Sequence, residues 1–108
     1  MVEAFLSAQQ SKPFAGILTT LYTATKLAAI FSSIVWCNQS SQPDNVRLSI
    51  GVGGAVDNLA QYLLFDEPIF PNDTSALTAG LTLATGDVLR CYSRNGNVSF
   101  SAFGVEIS

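Results

Sequence analysis

Short runs in which apolar and polar residues alternate constrain this chain more than any other feature. The clearest run is 46–52, where Val, Leu, Ile and Val occupy every second position. A period of two places these side chains on one side of an extended strand. Apolar runs separated by turn-forming residues predict strands at 15–22, 27–36, 46–52, 59–65, 75–83, 88–93 and 97–107.

The number and spacing of these runs predict the fold class. Seven to eight short strands with a turn every 8 to 12 residues or so are typical of an all-β, antiparallel β-sandwich or jelly-roll. The sequence predicts this domain over 14–108, and it predicts an N-terminal arm over 1–13. The arm carries apolar Val2, Phe5 and Leu6, so we expect about one helical turn that contacts a neighbouring subunit. A frayed terminus is the alternative.

Two local features give sharper structural predictions. Asn95-Gly96 lies between two alternating runs, and this dipeptide favours a two-residue hairpin turn. We therefore predict that 88–93 and 97–107 pair as an antiparallel hairpin. In the last run the apolar positions shift by one residue after Ala102, which predicts a bulge or bend near 102–104 with Gly104 supplying a permissive backbone.

Charge and composition exclude several classes of function. The chain has 108 residues, with 5 Lys and Arg, 8 Asp and Glu, and no His. Its few basic residues are scattered, which argues against nucleic-acid binding. Because the chain has no His, it lacks imidazole for catalysis and the commonest zinc ligand. Most carboxylates lie in predicted turns. We therefore expect no enzyme activity, metal or cofactor. Lys26 lies in the middle of the most apolar stretch, which argues against membrane insertion.

Four further residues are candidates for specific roles. Cys37 and Cys91 are interpreted as buried apolar residues, with a disulfide between them or to a partner chain as the alternative. Tyr62 and Tyr92 are candidate contacts for a glycan, because aromatic rings stack on sugars. For Trp36, which lies in the most apolar run, the sequence favours the core.

The order of short motifs resembles a group of small virion proteins of tailed bacteriophages. Leu21-Tyr22-Thr23 precedes an apolar strand that ends in Cys37-Asn38. Leu81-Thr82-Leu83 and Gly86-Asp87-Val88 follow, and the chain closes on Ser-Phe-x-x-Phe-Gly-x-Glu-Ile at 99–107. The similarity covers about residues 18–108. It implies a β-sandwich that works as an oligomer in a tail, baseplate, fibre or capsid surface, and it carries no catalytic residue.

Composition agrees with such a role. Of the residues in the chain, 48% are hydrophobic and 12% are charged. This share of charged residues is too low to cover the whole surface of the domain. Obligate interfaces are depleted in charge in the same way. We therefore expect a non-enzymatic structural subunit on the exterior of a tailed-phage virion, a homotrimer or other homo-oligomer that contacts other virion proteins. Capsid decoration and a carbohydrate-binding module for host glycans are the alternatives.

Overall fold

The computed structural model describes residues 2–108, and most of these residues lie in β-strands. The nine strands are β1 (Glu3–Ser11), β2 (Thr19–Thr23), β3 (Ala28–Asn38), β4 (Asp44–Gly51), β5 (Tyr62–Ile69), β6 (Thr74–Leu77), β7 (Leu81–Ala84), β8 (Val88–Ser93) and β9 (Val98–Ile107). Two short 3-10 turns, Val52–Gly54 and Leu59–Gln61, lie between β4 and β5.

The strands form two antiparallel sheets. Sheet A has the order β1-β9-β3-β6, and β7 pairs with β3 beside β6; sheet B has the order β2-β8-β4-β5. If β6 and β7 are taken as one interrupted strand, the pairings are nested: the first strand with the last, the second with the next to last, and so on inward. This is the strand order of a jelly-roll. The predicted all-β sandwich is confirmed.

The core lies between the sheets and comes from alternate residues of the central strands. In β3 the inward side chains are Ala29, Phe31, Ile34 and Trp36, all buried. The largest apolar side chains that meet them from the other strands are Leu48, Leu83, Leu89, Val46, Val98 and Phe100. Their burial at roughly 1.5–3 kcal/mol per large apolar side chain is the main force that holds the sheets together.

The N-terminal segment differs from the predicted arm. Glu3–Ser11 is an edge strand of sheet A that pairs with β9 from Glu3↔Ile107 to Ser11↔Phe100, and no helical turn forms there. Val2 closes the pairing, because its N–H donates to the carbonyl of Ser108 (2.6 Å) and its carbonyl accepts from the N–H of Ser108 (2.8 Å). The pairing with β9 satisfies backbone groups that a free arm would leave to water.

The predicted hairpin of 88–93 with 97–107 is wrong. β8 pairs with β2 and β4 in sheet B, and β9 pairs with β1 and β3 in sheet A, so the segment between them crosses from one sheet to the other. Gly96 has φ +76°, but Asn95 does not adopt the positive φ that a type I′ hairpin turn needs at both central residues. The N–H of Asn95 instead donates to Asp44 Oδ1 (3.0 Å).

The irregularity predicted near 102–104 is present, but the extra residues lie on the neighbouring strands. Ser32 is the extra residue of β3, between the pairs Phe31↔Gly104 and Ser33↔Phe103. β1 shows a similar shift between Leu6 and Gln9. Gly104 keeps an ordinary φ, and its role is close approach: an added Cβ would lie 2.9 Å from the Phe31 Cα.

Two predicted strands differ from the observed ones in more than small shifts of their ends. The run 75–83 is interrupted, and its two halves, β6 and β7, pair separately with β3. The run 59–65 begins as a 3-10 turn, and β5 continues to Ile69 because Asp66, at φ +54°, forms a bulge within the edge strand instead of ending it.

Candidate functional site

The outer face of sheet A carries an apolar patch. Paired residues of neighbouring strands point to the same side, so one row across the sheet is Phe5, Val105 and Ile30. Ile30 lies between the buried Ala29 and Phe31, which fixes this row on the outside. We define the apolar patch by its outward side chains: Phe5, Ala28, Ile30, Ala84, Phe103, Val105 and Ile107.

Two aromatic rings on this patch are exposed to solvent. Phe5 is 95% exposed and Phe103 is 40% exposed, while Ile30, Val105 and Ile107 are partly exposed. Phe103 and Val105 appear in the sequence as a set that slips out of step with the core. In the structure the side chains of Phe103 and Val105 point outward from sheet A and do not join the core.

Charge is almost absent from sheet A. Glu3 and Glu106 are the charged residues within its five strands. Glu106 points inward, where its Oε2 accepts a hydrogen bond from the hydroxyl of Tyr22 (2.8 Å). Burial and this carboxylate raise the pKa of Tyr22 to about 12, so the hydroxyl remains a donor at any ordinary pH. The outward side of β3 and β9 therefore presents no charge, and Glu3, directly opposite Ile107, is the charge on the outer side of β1.

The other half of the sheet A outer face mixes polar residues with Val35, Cys37 and Ala76. A shallow groove of about 350 Å³ lies here, lined by Gln10, Ser11, Lys12, Ser99, Phe100 and Ser101. The amide of Gln10 donates to Ser101 Oγ (3.3 Å), and the amide of Gln39 donates to Ser99 Oγ (3.2 Å). These bonds join neighbouring side chains across the strands, so the groove is uncharged apart from Lys12.

The outer face of sheet B is built around Arg47. Its guanidinium carbon lies 4.1 Å from the centre of the Phe65 ring and 4.5 Å from the centre of the Tyr92 ring. Tyr62 meets Phe65 edge to face, with ring centres 5.0 Å apart. We call these four residues the arginine ladder. Such stacking is worth about 0.5–1 kcal/mol per contact at exposed sites.

Carboxylates complete the ladder. Asp66 accepts two bonds from Arg47, at 2.7 Å from Nε and 3.2 Å from Nη2, and these bonds hold the pKa of the Asp66 carboxyl below its usual value. The hydroxyl of Tyr62 donates to Asp57 Oδ1 (2.7 Å). Desolvation, with this bond to Asp57, raises the pKa of Tyr62. Arg47 and Tyr62 thus find carboxylate partners within the chain, whereas the buried Ser49 hydroxyl beneath them has no hydrogen-bond partner.

Both glycan candidates lie on this face. Tyr62 is directly opposite Ser49, and Tyr92 is directly opposite Arg47, so both rings are on the outer side of sheet B. The sequence did not single out Arg47 or Phe65, which hold the two tyrosines in place. The signal in the sequence for Arg47 was its position on a predicted strand, where it alternates with core residues.

A buried polar network joins the loops at one end of the sandwich. Asp44 accepts from the hydroxyl of Ser93 (2.7 Å) and from the N–H of Asn95 (3.0 Å), and the amide of Asn38 donates to the carbonyls of Gln42 (2.8 Å) and Phe70 (3.2 Å). Asn38, Asp44 and Ser93 are at most 2% exposed. Cys37-Asn38 is one of the motifs of the resemblance, and its Asn has this structural role.

Asp87 joins the loops at the opposite end of the sandwich. Its Oδ1 accepts from the N–H of Gly53 (2.8 Å) and its Oδ2 from the N–H of Ala84 (3.0 Å). Its backbone carbonyl accepts from the N–H of Ala24 (2.9 Å). The Gly86-Asp87-Val88 motif therefore fixes three loops and supplies no reactive group.

Both cysteines are free. Cys91 is buried on the inner side of sheet B, and desolvation raises its pKa to about 12, so it remains a thiol. Cys37 is directly opposite Ser99 on the outer side of sheet A. The disulfide between the two, one of the alternatives from sequence, is not formed, and a link from Cys37 to a partner chain stays a prediction.

Within residues 2–108 no three His, Cys, Asp or Glu side chains are grouped to hold a metal ion. Over the same part of the chain no helix has the length and apolarity that crossing a membrane requires. The sequence matches no protein-family model, and no curated protein or solved structure matches it.

Proposed function

We propose that this chain is a non-enzymatic structural subunit on the exterior of a tailed-phage virion, in the tail, baseplate or fibre, where it assembles as a homo-oligomer. The observation that carries the proposal is the apolar patch on the outer face of sheet A, which has a single charge, Glu3, at its edge. A soluble domain rarely leaves contiguous apolar surface of this kind to water unless another protein covers it.

The jelly-roll supports the same proposal. This fold occurs in viral capsid domains and in lectins, although a fold alone does not determine a function. The motifs that resemble phage virion proteins act here as loop anchors and close-packing positions, namely Asn38, Asp87 and Gly104. Their physical roles are those of a scaffold, as expected of a building block.

The direct test is the composition of purified particles. Mass spectrometry of intact virions of a phage that encodes this chain is expected to detect it in stoichiometric amount. Separation of heads from tails then distinguishes the tail subunit from a capsid decoration protein. Detection in the infected lysate but not in purified particles would contradict the proposal.

A glycan-binding role is a second candidate, favoured by one observation. Tyr62, Phe65 and Tyr92 lie together on the outer face of sheet B, and Phe65 is 50% exposed. Exposed aromatic rings beside hydrogen-bonding groups are suited to a sugar. A glycan array should give signals that Tyr62→Ala weakens and that Phe14→Ala, remote from this face, leaves unchanged. An array without signals would remove this candidate and leave the structural role intact.

A further inference from the structure

We propose that the outer face of sheet A is the contact between copies of this chain, with the apolar patch as its apolar half and Phe5 inserted against the neighbouring copy. The proposal rests on the proposed function in one respect, that the chain is an assembly subunit. It adds which surface is used and what covers it.

The exposure of Phe5 is the first argument. A ring that is 95% exposed gains almost nothing from its own chain, yet it lies in a regular strand beside Val105 and Ile30. On an unpartnered edge strand such a side chain favours aggregation, which natural sheets avoid with charges or Pro. β1 has one charge, Glu3 at its first position, and its other residues, 4–11, include neither a charge nor Pro. Covering by another protein chain resolves this conflict.

Charge identifies a second copy as the occupant. The chain carries a net charge of −3, so two copies repel each other over most of their surface. The outward side of β3 and β9 carries no charge, because Glu106 turns inward to Tyr22. The apolar patch has one charge at its edge, Glu3 opposite Ile107, so it meets its own copy with few of the like-charge contacts that a charged surface would create. A partner selected by charge would leave a complementary charge pattern on this face, and the two central strands have none.

The size of the face fits a stable contact. β3 has 11 residues, and sheet A is four strands wide, which at about 3.3 Å per residue and about 4.8 Å per strand gives roughly 700 Å². A standard interface buries about 800 Å² on each partner. The arrangement also has the expected anatomy, since the apolar patch is flanked by the uncharged polar row of Gln10, Ser99 and Ser101.

The test compares two double variants of the full chain by size-exclusion chromatography with light scattering. Phe5→Thr with Phe103→Thr removes both exposed rings of the patch and keeps strand-forming residues. Phe14→Thr with Phe70→Thr is the matched control, because both rings are exposed in loops at the far end of the sandwich. The patch variant is expected to raise the dissociation constant of the oligomer by about 100-fold or more, since buried aromatic residues dominate interface energies.

Each outcome decides something. Oligomers in the wild type and the control but not in the patch variant support the proposal. Oligomers in all three, or loss in both variants, overturn the assignment of this face. A wild-type monomer at micromolar concentration overturns it as well, while mass spectrometry of particles still tests the virion role separately. If Phe103→Thr lowers the thermal stability, Phe5→Thr alone gives the same comparison, because Phe5 scarcely contacts its own chain.

Discussion

Sheet A and sheet B each turn one face outward, and the side chains on the two faces differ in kind. On sheet B, Arg47 stacks between two rings and binds Asp66, so charged and aromatic groups satisfy one another within the chain. On sheet A the outward residues Phe5, Phe103 and Val105 have no such partners. Sheet B therefore has the more polar outer face, although Leu63 and Phe65 of β5 are exposed there, and sheet A has the face that we propose another copy covers.

The comparison also explains the low charge of the chain. The charged residues within strands are concentrated in sheet B, at Asp44, Arg47, Asp66, Glu67 and Arg90. A uniform shortage of charge would have left both faces apolar. Because sheet B has most of the strand charges, the shortage of charge falls mainly on sheet A, as the proposed contact between copies requires.

The largest expected effect on stability is at Gly104. The absence of a side chain there lets β9 lie close to the backbone of β3 beside the apolar patch. In Gly104→Ala the new Cβ would meet the backbone of Ile30 and Phe31, which cannot move aside. We expect a loss of about 3 kcal/mol in the free energy of unfolding, measured by urea titration.

Gly51→Ala is the counterpart in sheet B. Its nearest obstacle is the Arg90 Nη1 atom at 2.7 Å, the mobile end of a long side chain, with the Ala55 carbonyl at 3.0 Å. We expect a smaller loss there, about 1 kcal/mol. An equal or larger loss in Gly51→Ala would mean that sheet A is not the more tightly constrained sheet.

Next in size is the loop anchor at the crossing between the sheets. Asp44→Ala leaves the hydroxyl of Ser93 and the N–H of Asn95 without their acceptor in a buried site. We expect a loss of about 2–3 kcal/mol in thermal unfolding, since bonds to charged groups are worth about 1.5–3 kcal/mol.

Asp73→Ala is its control, because Asp73 is exposed and its side chain bonds the N–H of Thr74. Its loss should be well under half that of Asp44→Ala. Since Asp44 lies apart from the apolar patch, its variant should keep the oligomeric state of the wild type. Dissociation in Asp44→Ala would show that the two faces are not independent.

The arginine ladder has a smaller effect. Arg47→Ala removes two stacking contacts and the bidentate bond to Asp66, all on a partly exposed surface. We expect about 1–2 kcal/mol of lost stability by calorimetry and no change in assembly. Arg94→Ala, which removes an exposed Arg outside the ladder, should change the stability by less. A loss of oligomers in Arg47→Ala would transfer the assembly role to sheet B.

The smallest effect is the pH dependence of that ladder. The pKa of Asp66 is lowered by Arg47, so the unfolded chain binds this proton more tightly than the folded chain does. The stabilisation is therefore complete above a pH of about 4 and is lost as the pH falls through the lowered value. Asp66→Asn, which tolerates the positive φ of this position, should lower the melting temperature at neutral pH and leave it unchanged in strong acid. A constant difference at all pH values would contradict this assignment.

Sequence reasoning reached the architecture because alternation reports burial directly. The runs at 46–52 and 88–93 became β4 and β8, with inward residues such as Leu48 and Cys91 fully buried. Periodicity does not report which strands pair. Asn95-Gly96 resembles a hairpin turn. The Asn95 N–H instead binds Asp44, and Val98 is buried in sheet A, so the chain crosses from sheet B to sheet A at this point.

The candidate surfaces were less accessible from sequence. The sequence named Tyr62 and Tyr92 as candidate glycan contacts. It did not show that they share one face, because that depends on the register of β4 with β5 and β8. Phe5 was a candidate contact in an expected arm, and the structure places it in a strand of sheet A. Leu6, predicted as a contact beside it, faces the core, because successive strand residues alternate sides. Val2 is exposed at the strand end and stays a predicted assembly contact.

Hydroxyl-radical footprinting of the native protein at micromolar concentration tests the difference between the faces most directly. In a single chain Phe5 is 95% exposed and Phe65 is 50% exposed, so exposure alone predicts faster oxidation of Phe5. Coverage of sheet A by a second copy predicts the reverse order, with Phe5 protected and Phe65 oxidised, and recovery of Phe5 oxidation on dilution. Faster oxidation of Phe5 than of Phe65 at every concentration would contradict the account.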